Sequence, residues 1–219
     1  MPWPILLLFA FLCGSIPFGF LIATAKGVDI RSKGSGNIGA TNVGRVLGRS
    51  WGFACFGLDA LKGAVPTLAA GWSHDLLGQP LRAVNPDELW LWLATGVAAL
   101  LGHMFSPWIG FKGGKGVATG FGAFVSMWTP LTIPTLAALV VWAVFLKAFR
   151  MMSIASIVAA LTIPATVAIR AARAANPRAE FDAALPVLVV AVAIALLVTW
   201  KHRANIARAI KGQELKVKI

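Results

Sequence analysis

Of the 219 residues, 58% are hydrophobic and only 13% charged, yet the formal net charge is +12. A soluble domain carries about twice that charged fraction, and period-2 alternation is absent, so a soluble globular domain and a transmembrane β-barrel are both excluded. The expected fold class is all-α: a polytopic membrane helical bundle, with 1–219 forming a single integral membrane domain. The basic excess has two physical sources to weigh. Cytoplasmic loops of membrane proteins collect Lys and Arg, and an anionic substrate or lipid also selects for cations. Nucleic acid is excluded as a partner because no soluble basic module exists.

The first apolar run, 3–24, has no basic segment or small-residue cleavage pattern before it, so it is expected to remain as a helix. It is interrupted by Gly14-Ser15-Ile16-Pro17, where proline ends or kinks the helix. A polar, glycine-rich loop follows at 26–50. The second run, 51–71, carries Asp59 and Lys62 three apart on one helix face, an expected structural pair. A polar loop at 72–88 leads to the third run, 89–105. A second glycine loop, 108–116, opens a short fourth run ending near Trp128. The fifth run is 131–149, and the link 150–153 opens the sixth, which ends near Ile169. An Ala/Arg-rich loop is expected to reach Asp182, followed by the seventh run, 183–200, and a basic, amphipathic tail, 201–219. Trp3, Trp51, Trp72, Trp90, Trp128 and Trp200 fall at run ends, the pattern of an interfacial aromatic belt. Cys13 and Cys55 lie inside apolar runs as packing residues, with no disulfide framework and no Cys/His metal spacing.

Counting Lys and Arg orients the chain. Loop 26–50 holds five, loop 72–88 one, loop 107–115 two, link 147–152 two and the tail six. If all seven runs cross, the richer segments share one side, which is then cytoplasmic, with the N-terminus outside and the C-terminus inside. Loop 170–182, with three arginines on the outer side, is the exception. If the short fourth run did not cross, the tail would land outside with its cations. Seven crossings are therefore expected.

Three polar motifs would then meet on the cytoplasmic side. The first, 34–45, interleaves glycines with Ser35, Asn37, Thr41, Asn42 and Arg45. It offers backbone N–H groups, short hydroxyl and amide side chains and one fork-shaped cation. The second, 102–119, contains Lys112, Gly113, Gly114, Lys115 and Gly116. It is not a Walker loop, because Gly114-Lys115 is followed by Gly116 and Ile109 stands where the first glycine belongs. A helix starting near Gly116 still presents backbone donors to an anion. The third places His202, Asn205 and Arg208 at i, i+3, i+6, with Glu214 beyond. Its alternative reading is a basic helix lying on anionic lipid. His103 reads as an interfacial hydrogen-bonded residue, and His74 has no role. One carboxylate among so many cations suits a phosphate-bearing ligand, and no metal is expected.

At these motifs the sequence resembles the bacterial acyl-phosphate:glycerol-3-phosphate acyltransferase family over nearly its whole length. The resemblance rests on Gly14-Ser15-Ile16-Pro17-Phe18-Gly19, on the Ser-Gly-Asn-x-Gly-Ala-Thr-Asn-x-x-Arg pattern at 35–45, and on Leu58-Asp59-x-x-Lys62-Gly63. It extends through Phe-Lys-Gly-Gly-Lys-Gly-Val-Ala-Thr at 111–119 and His-Arg-x-Asn-Ile-x-Arg at 202–208. It implies a seven-helix inner-membrane enzyme that moves an acyl group from acyl phosphate to position 1 of glycerol 3-phosphate, yielding lysophosphatidic acid. By matching position, Ser35 and Arg45 resemble an essential pair, and 112–116 resembles the glycerol 3-phosphate-binding element. His202 and Asn205 resemble essential residues of a third motif, Ser153 a substrate-contacting serine, and Glu214 an acid needed for integrity. The substrates and membrane lipid are the implied partners, and no cofactor is implied. The sequence departs from the family pattern at 150–153, which lacks an aromatic before Ser153, and at Ala204, where an acid is common.

Acyl phosphate is already activated, so holding two phosphate-bearing reactants together is the main task. Direct attack by the glycerol hydroxyl is the expected route. The leaving phosphate, or His202, then accepts its proton and Ser35 positions a phosphate; the other route, an acyl-enzyme on Ser35, needs an adjacent base, and His202 is the only histidine expected nearby. A His-x-x-x-x-Asp acyltransferase is excluded, because Gln79, Trp108 and Ala207 stand five residues after the three histidines. An organophosphate transporter also uses broken helices, but motifs gathered on one side argue against alternating access. A non-catalytic lipid-binding scaffold is the third reading. Acyl-chain preference and oligomeric state are not legible in the sequence.

Overall fold

Proline and glycine set the helix boundaries of this chain. The computed structural model describes residues 1–217, and the last two residues of the basic tail, Lys218 and Ile219, lie outside the described residues. In chain order the helices are α1 (Trp3–Ser15), α2 (Phe18–Ala25), α3 (Ala40–Leu47), α4 (Arg49–Ser73), α5 (Pro86–Met104), α6 (Val117–Val125), α7 (Thr132–Phe149), α8 (Met152–Ala172), α9 (Pro177–Lys201) and α10 (Arg203–Ile210). No strand occurs among the described residues. Six stretches among them are long and apolar enough to cross a bilayer: α1 with α2, then α4, α5 with the turn after it, α7, α8 and α9.

The chain clusters into two compact units. The first comprises Met1–Asp75 and Ala94–Ser126, and the second Leu76–Leu93 and the chain from Met127 onward. In the first unit, α1 ends where Ile16 turns extended (ψ 117°) before Pro17, which has no N–H to continue the ladder. Side chains from other helices close onto this break. Lys62 Nζ donates to the Ile16 carbonyl at 2.6 Å. Ser106 Oγ donates to the Ser15 carbonyl at 2.6 Å, and Trp108 Nε1 donates to Ser15 Oγ at 2.7 Å. Helices approach closely where they lack side chains. A Cβ at Gly63 would collide with the Thr119 carbonyl and one at Gly122 with the Ala60 carbonyl, so α4 and α6 touch backbone to backbone at two crossing points. Gly14 and Gly102 bring α1 onto α5 in the same way.

Two differences from the sequence reading stand out in this unit. The 26–50 segment is not all loop: its second half forms α3, whose Val43 and Asn42 turn inward while Arg45 stays exposed. The short fourth run forms the nine-residue α6. At about 1.5 Å per residue that is about 14 Å, against the ~30 Å of a bilayer core.

In the second unit, Arg150 in the left-handed region (φ 57°) ends α7, and α8 begins two residues later. The expected 170–182 loop is far shorter, because α9 starts at Pro177. Asn176 caps it by accepting from the Ala179 N–H at 3.2 Å, and Pro177 sits where a missing N–H costs nothing. Arg82 ties the preceding loop to this helix start, with Nε 2.7 Å from Glu180 and a bond to the Asn176 carbonyl at 3.0 Å. The tail returns to the start of α8, where the Val217 N–H donates to the Arg150 carbonyl at 2.8 Å.

Candidate functional site

The first glycine loop is shaped by its own side chains. Asp29 accepts from the Arg31 backbone N–H at 3.0 Å and from Arg31 Nε at 3.0 Å. That guanidinium holds the Asp29 carboxyl below its ordinary range. Asn42 is the hub. Its Oδ1 accepts from the Ser35 N–H at 2.8 Å, and its Nδ2 donates to the carbonyls of Lys33 at 3.0 Å and Ile30 at 3.3 Å. Only 1% of Asn42 is exposed. Expected as a substrate ligand, Asn42 instead spends its amide on the loop's own backbone. Asn37 Oδ1 accepts from the Gly39 N–H at 2.9 Å, turning the chain into α3. Gly34 and Gly36, at φ 58° and 69°, take the left-handed conformation that this fold-back requires. Ser35 and Arg45 are exposed, and Thr41, one helical turn before Arg45, is half-buried.

The second glycine loop lies on the last turn of α5. The Gly114 N–H donates to the His103 carbonyl at 3.1 Å and the Phe111 N–H to the Ser106 carbonyl at 2.9 Å. A Cβ at Gly113 would strike the His103 carbonyl, at Gly114 the His103 ring, and at Gly116 the Leu100 side chain. Gly116, at φ 81°, precedes α6 without any side-chain cap. The first N–H groups of α6 therefore lack acceptors within the helix, the property expected of an anion cradle. Lys112 is exposed and Lys115 half-buried. Ile109 of this loop joins Ile30, Ile38 and Val43 of the first loop in one buried cluster with Ala23 and Cys55. One apolar plug thus holds both glycine loops at the same end of the first unit.

Asp59 and Lys62 form a buried ion pair at 2.7 Å, with both side chains 3% exposed. His103 Nδ1 lies 3.7 Å from the same carboxylate oxygen. Reading His103 as an interfacial residue missed this, since it is buried among α4 and α5 side chains. The available signal was the Asp59–Lys62 spacing, which calls for a further polar neighbour once the pair is buried.

The third cluster belongs to the second unit. Glu214, 8% exposed, accepts from Ser153 Oγ at 3.2 Å, from Arg208 Nε at 3.0 Å and from Asn205 Nδ2. His202, 2% exposed, sits where α9 passes into α10. Its Nδ1 is 2.8 Å from the Val198 carbonyl. A carbonyl only accepts, so Nδ1 is the donor in this contact and Nε2 is the ring's other nitrogen. No group of His, Cys, Asp and Glu able to hold a metal ion occurs among the described residues.

Residues 4–212 match the family model described as "Glycerol-3-phosphate acyltransferase". The chain is 43% identical over 210 residues to the glycerol-3-phosphate acyltransferase of Geotalea daltonii, covering 96% of this chain and 95% of that relative. It is 46% identical over 214 residues to the enzyme of that name from Geobacter metallireducens, covering 98% and 97%. A crystal structure of PlsY (YgiH), an integral membrane glycerol 3-phosphate acyltransferase in its glycerol 3-phosphate form, superposes with a TM-score of 0.82 at 38% identity, covering 99% of this chain and 96% of that one. The lysophosphatidic acid form superposes with a TM-score of 0.79 at 37% identity, covering 99% and 95%. Matched over residues 4–212, with both glycine loops inside the match, the chain belongs to the glycerol-3-phosphate acyltransferase family.

Proposed function

We propose that this protein transfers an acyl group from acyl phosphate to the 1-hydroxyl of glycerol 3-phosphate, giving lysophosphatidic acid and inorganic phosphate. The observation that carries this reading is the family match over residues 4–212, which includes both glycine loops. The hydroxyl oxygen attacks the acyl carbon, a C–O bond forms, and the C–O bond to phosphate breaks. The proton leaves to the departing phosphate or to His202. Arg45, Lys112 and Lys115 neutralise the two phosphates, and the N–H groups at Gly113, Gly114, Gly116 and the start of α6 stabilise developing oxyanion charge. Ser35, Asn37, Thr41 and Ser153 orient the reactants, and Asn205 works beside His202. Asn42, Asp59, Lys62 and Glu214 hold the site's shape. Orientation of this kind removes about 7–11 kcal/mol of barrier in favourable cases, which suits an anhydride that needs little further activation. The reaction asks for no cofactor.

In this reading the 219 residues act as one enzyme in the bacterial inner membrane, with the reacting groups facing the cytoplasm. A seventh crossing, made by α6 with its flanking segments, keeps the cation-rich tail on the cytoplasmic side. Purified protein in detergent, supplied with acyl phosphate and glycerol 3-phosphate, is expected to release phosphate and form lysophosphatidate without added metal. Acyl-CoA in place of acyl phosphate should yield nothing. Arg45→Ala should lower turnover at least about 100-fold, in line with loss of one transition-state charge contact, while thermal unfolding is unchanged because Arg45 is exposed. Intact-mass analysis during turnover should find no acyl group on Ser35. Product with acyl-CoA alone, or transport of glycerol 3-phosphate without product, would sink the reading.

A further inference from the structure

We propose that His103 is a positioning residue for the glycine loop 112–116, held in place by the buried Asp59–Lys62 pair. The inference rests on the proposed reading of that loop as the glycerol 3-phosphate-binding element. A continuous chain of contacts carries it, all within the first unit. At the break before Pro17 the Ile16 carbonyl accepts from the Phe18 N–H at 3.1 Å and from Lys62 Nζ at 2.6 Å. The same ammonium lies 2.7 Å from Asp59, and Phe18, the first residue after the break, places its ring 5.6 Å from it. Asp59 Oδ1 in turn lies 3.7 Å from His103 Nδ1. The opposite corner of the imidazole, Nε2, lies against Gly114 so closely that no Cβ fits between them. The His103 carbonyl accepts the Gly114 N–H at 3.1 Å.

His103 therefore meets the loop twice, through its ring and through its carbonyl, while Asp59 orients the ring from the other side. A buried carboxylate with a paired ammonium is a costly feature to keep in a membrane-spanning helix unless its geometry is used. Here its oxygen stands 3.7 Å from Nδ1, longer than a hydrogen bond, so it biases the imidazole's orientation by charge, and the imidazole sets the height of Gly114 and hence the aim of the N–H groups that follow. The break in the first span and the phosphate loop thus become one mechanical unit. A change at His103 is expected to loosen capture of glycerol 3-phosphate and leave capture of the acyl donor alone.

Two isopolar variants separate the two ends of the ring. In His103→Asn the amide occupies the Nδ1 position facing Asp59 and leaves the space beside Gly114 empty. In His103→Gln the amide reaches the Nε2 position and fills that space. With purified protein, KM for glycerol 3-phosphate and for acyl phosphate would be measured for each variant. The expected result for His103→Asn is a KM for glycerol 3-phosphate raised about tenfold, with the acyl phosphate KM and kcat within about threefold of the parent, the pattern of lost ground-state binding. His103→Gln should stay within about threefold in every constant. The inference is overturned if the two variants share the same KM for glycerol 3-phosphate, or if both substrates' KM values rise together. It is also overturned if the Asn variant alone fails to fold, which would make the ring a stability element. Absence of any acyl transfer by the unmutated protein would instead refute the underlying reading of the enzyme, so the two failures are told apart by the parent assay.

Discussion

At the scale of single residues, several polar side chains in this protein are spent on holding backbone. Asn42 uses its whole amide on the first loop, and Glu214 gathers three donors from α8 and α10. These contributions differ in worth. The Arg208 side chain is 37% exposed against 2% for Glu214, so its pairing with the carboxylate is partly screened. Ser153 is 2% exposed and has no access to water if its acceptor is removed. Glu214→Ala should therefore cost about 1–3 kcal/mol, set mainly by the orphaned Ser153 hydroxyl and the Asn205 amide. The loss should appear as a lower unfolding midpoint and as faster proteolysis of the chain beyond α9. Glu214→Gln, which keeps an amide oxygen for both donors, should retain most of the stability.

At the scale of helices, close approach replaces side-chain interlock between α4 and α6. Gly63 and Gly122 each face a carbonyl of the opposite helix with no room for a methyl group, an arrangement suited to a bilayer, where apolar burial gives helices little reason to associate. Gly122→Ala should force the two backbones apart. The cost should be about 1–3 kcal/mol, and because α6 begins at the second glycine loop, acyl transfer should fall with it. Gly57→Ala in the same helix α4 meets nothing within 4 Å. It should leave the unfolding midpoint unchanged or raise it, since alanine is the better helix former by about 0.5–1 kcal/mol. A Gly122→Ala protein as stable as the Gly57→Ala protein would show that the crossing is looser than its geometry indicates.

At the scale of the molecule, the distribution of cations predicts how the chain threads the bilayer. A reporter active only in the cytoplasm, fused after Ile219, should be active, and the same reporter inserted in the 72–88 loop should be silent. The opposite result at the C-terminus, with the N-terminus outside, would mean an even number of crossings. Much of this architecture was legible in the sequence because it depends on local chemistry. Apolar run length marks the spanning helices, the Gly14-Ser15-Ile16-Pro17 interruption marks a helix break, and glycine with lysine and short polar residues marks anion-friendly loops. The Asn176-Pro177 start of α9 was equally local, a cap followed by a proline at the first helical position, yet the polar residues after it read as loop. The α3 helix was hidden because its glycines and polar residues suit a loop until Ile38 and Val43 find a core to enter. What only the tertiary structure decided is which polar groups satisfy one another across helices: Lys62 with the Ile16 carbonyl, His103 between Asp59 and Gly114, Ser153 with Glu214. Spacing along a chain reveals which side chains share a helix face. It does not reveal which faces meet, and buried polar groups are paired by the faces that meet.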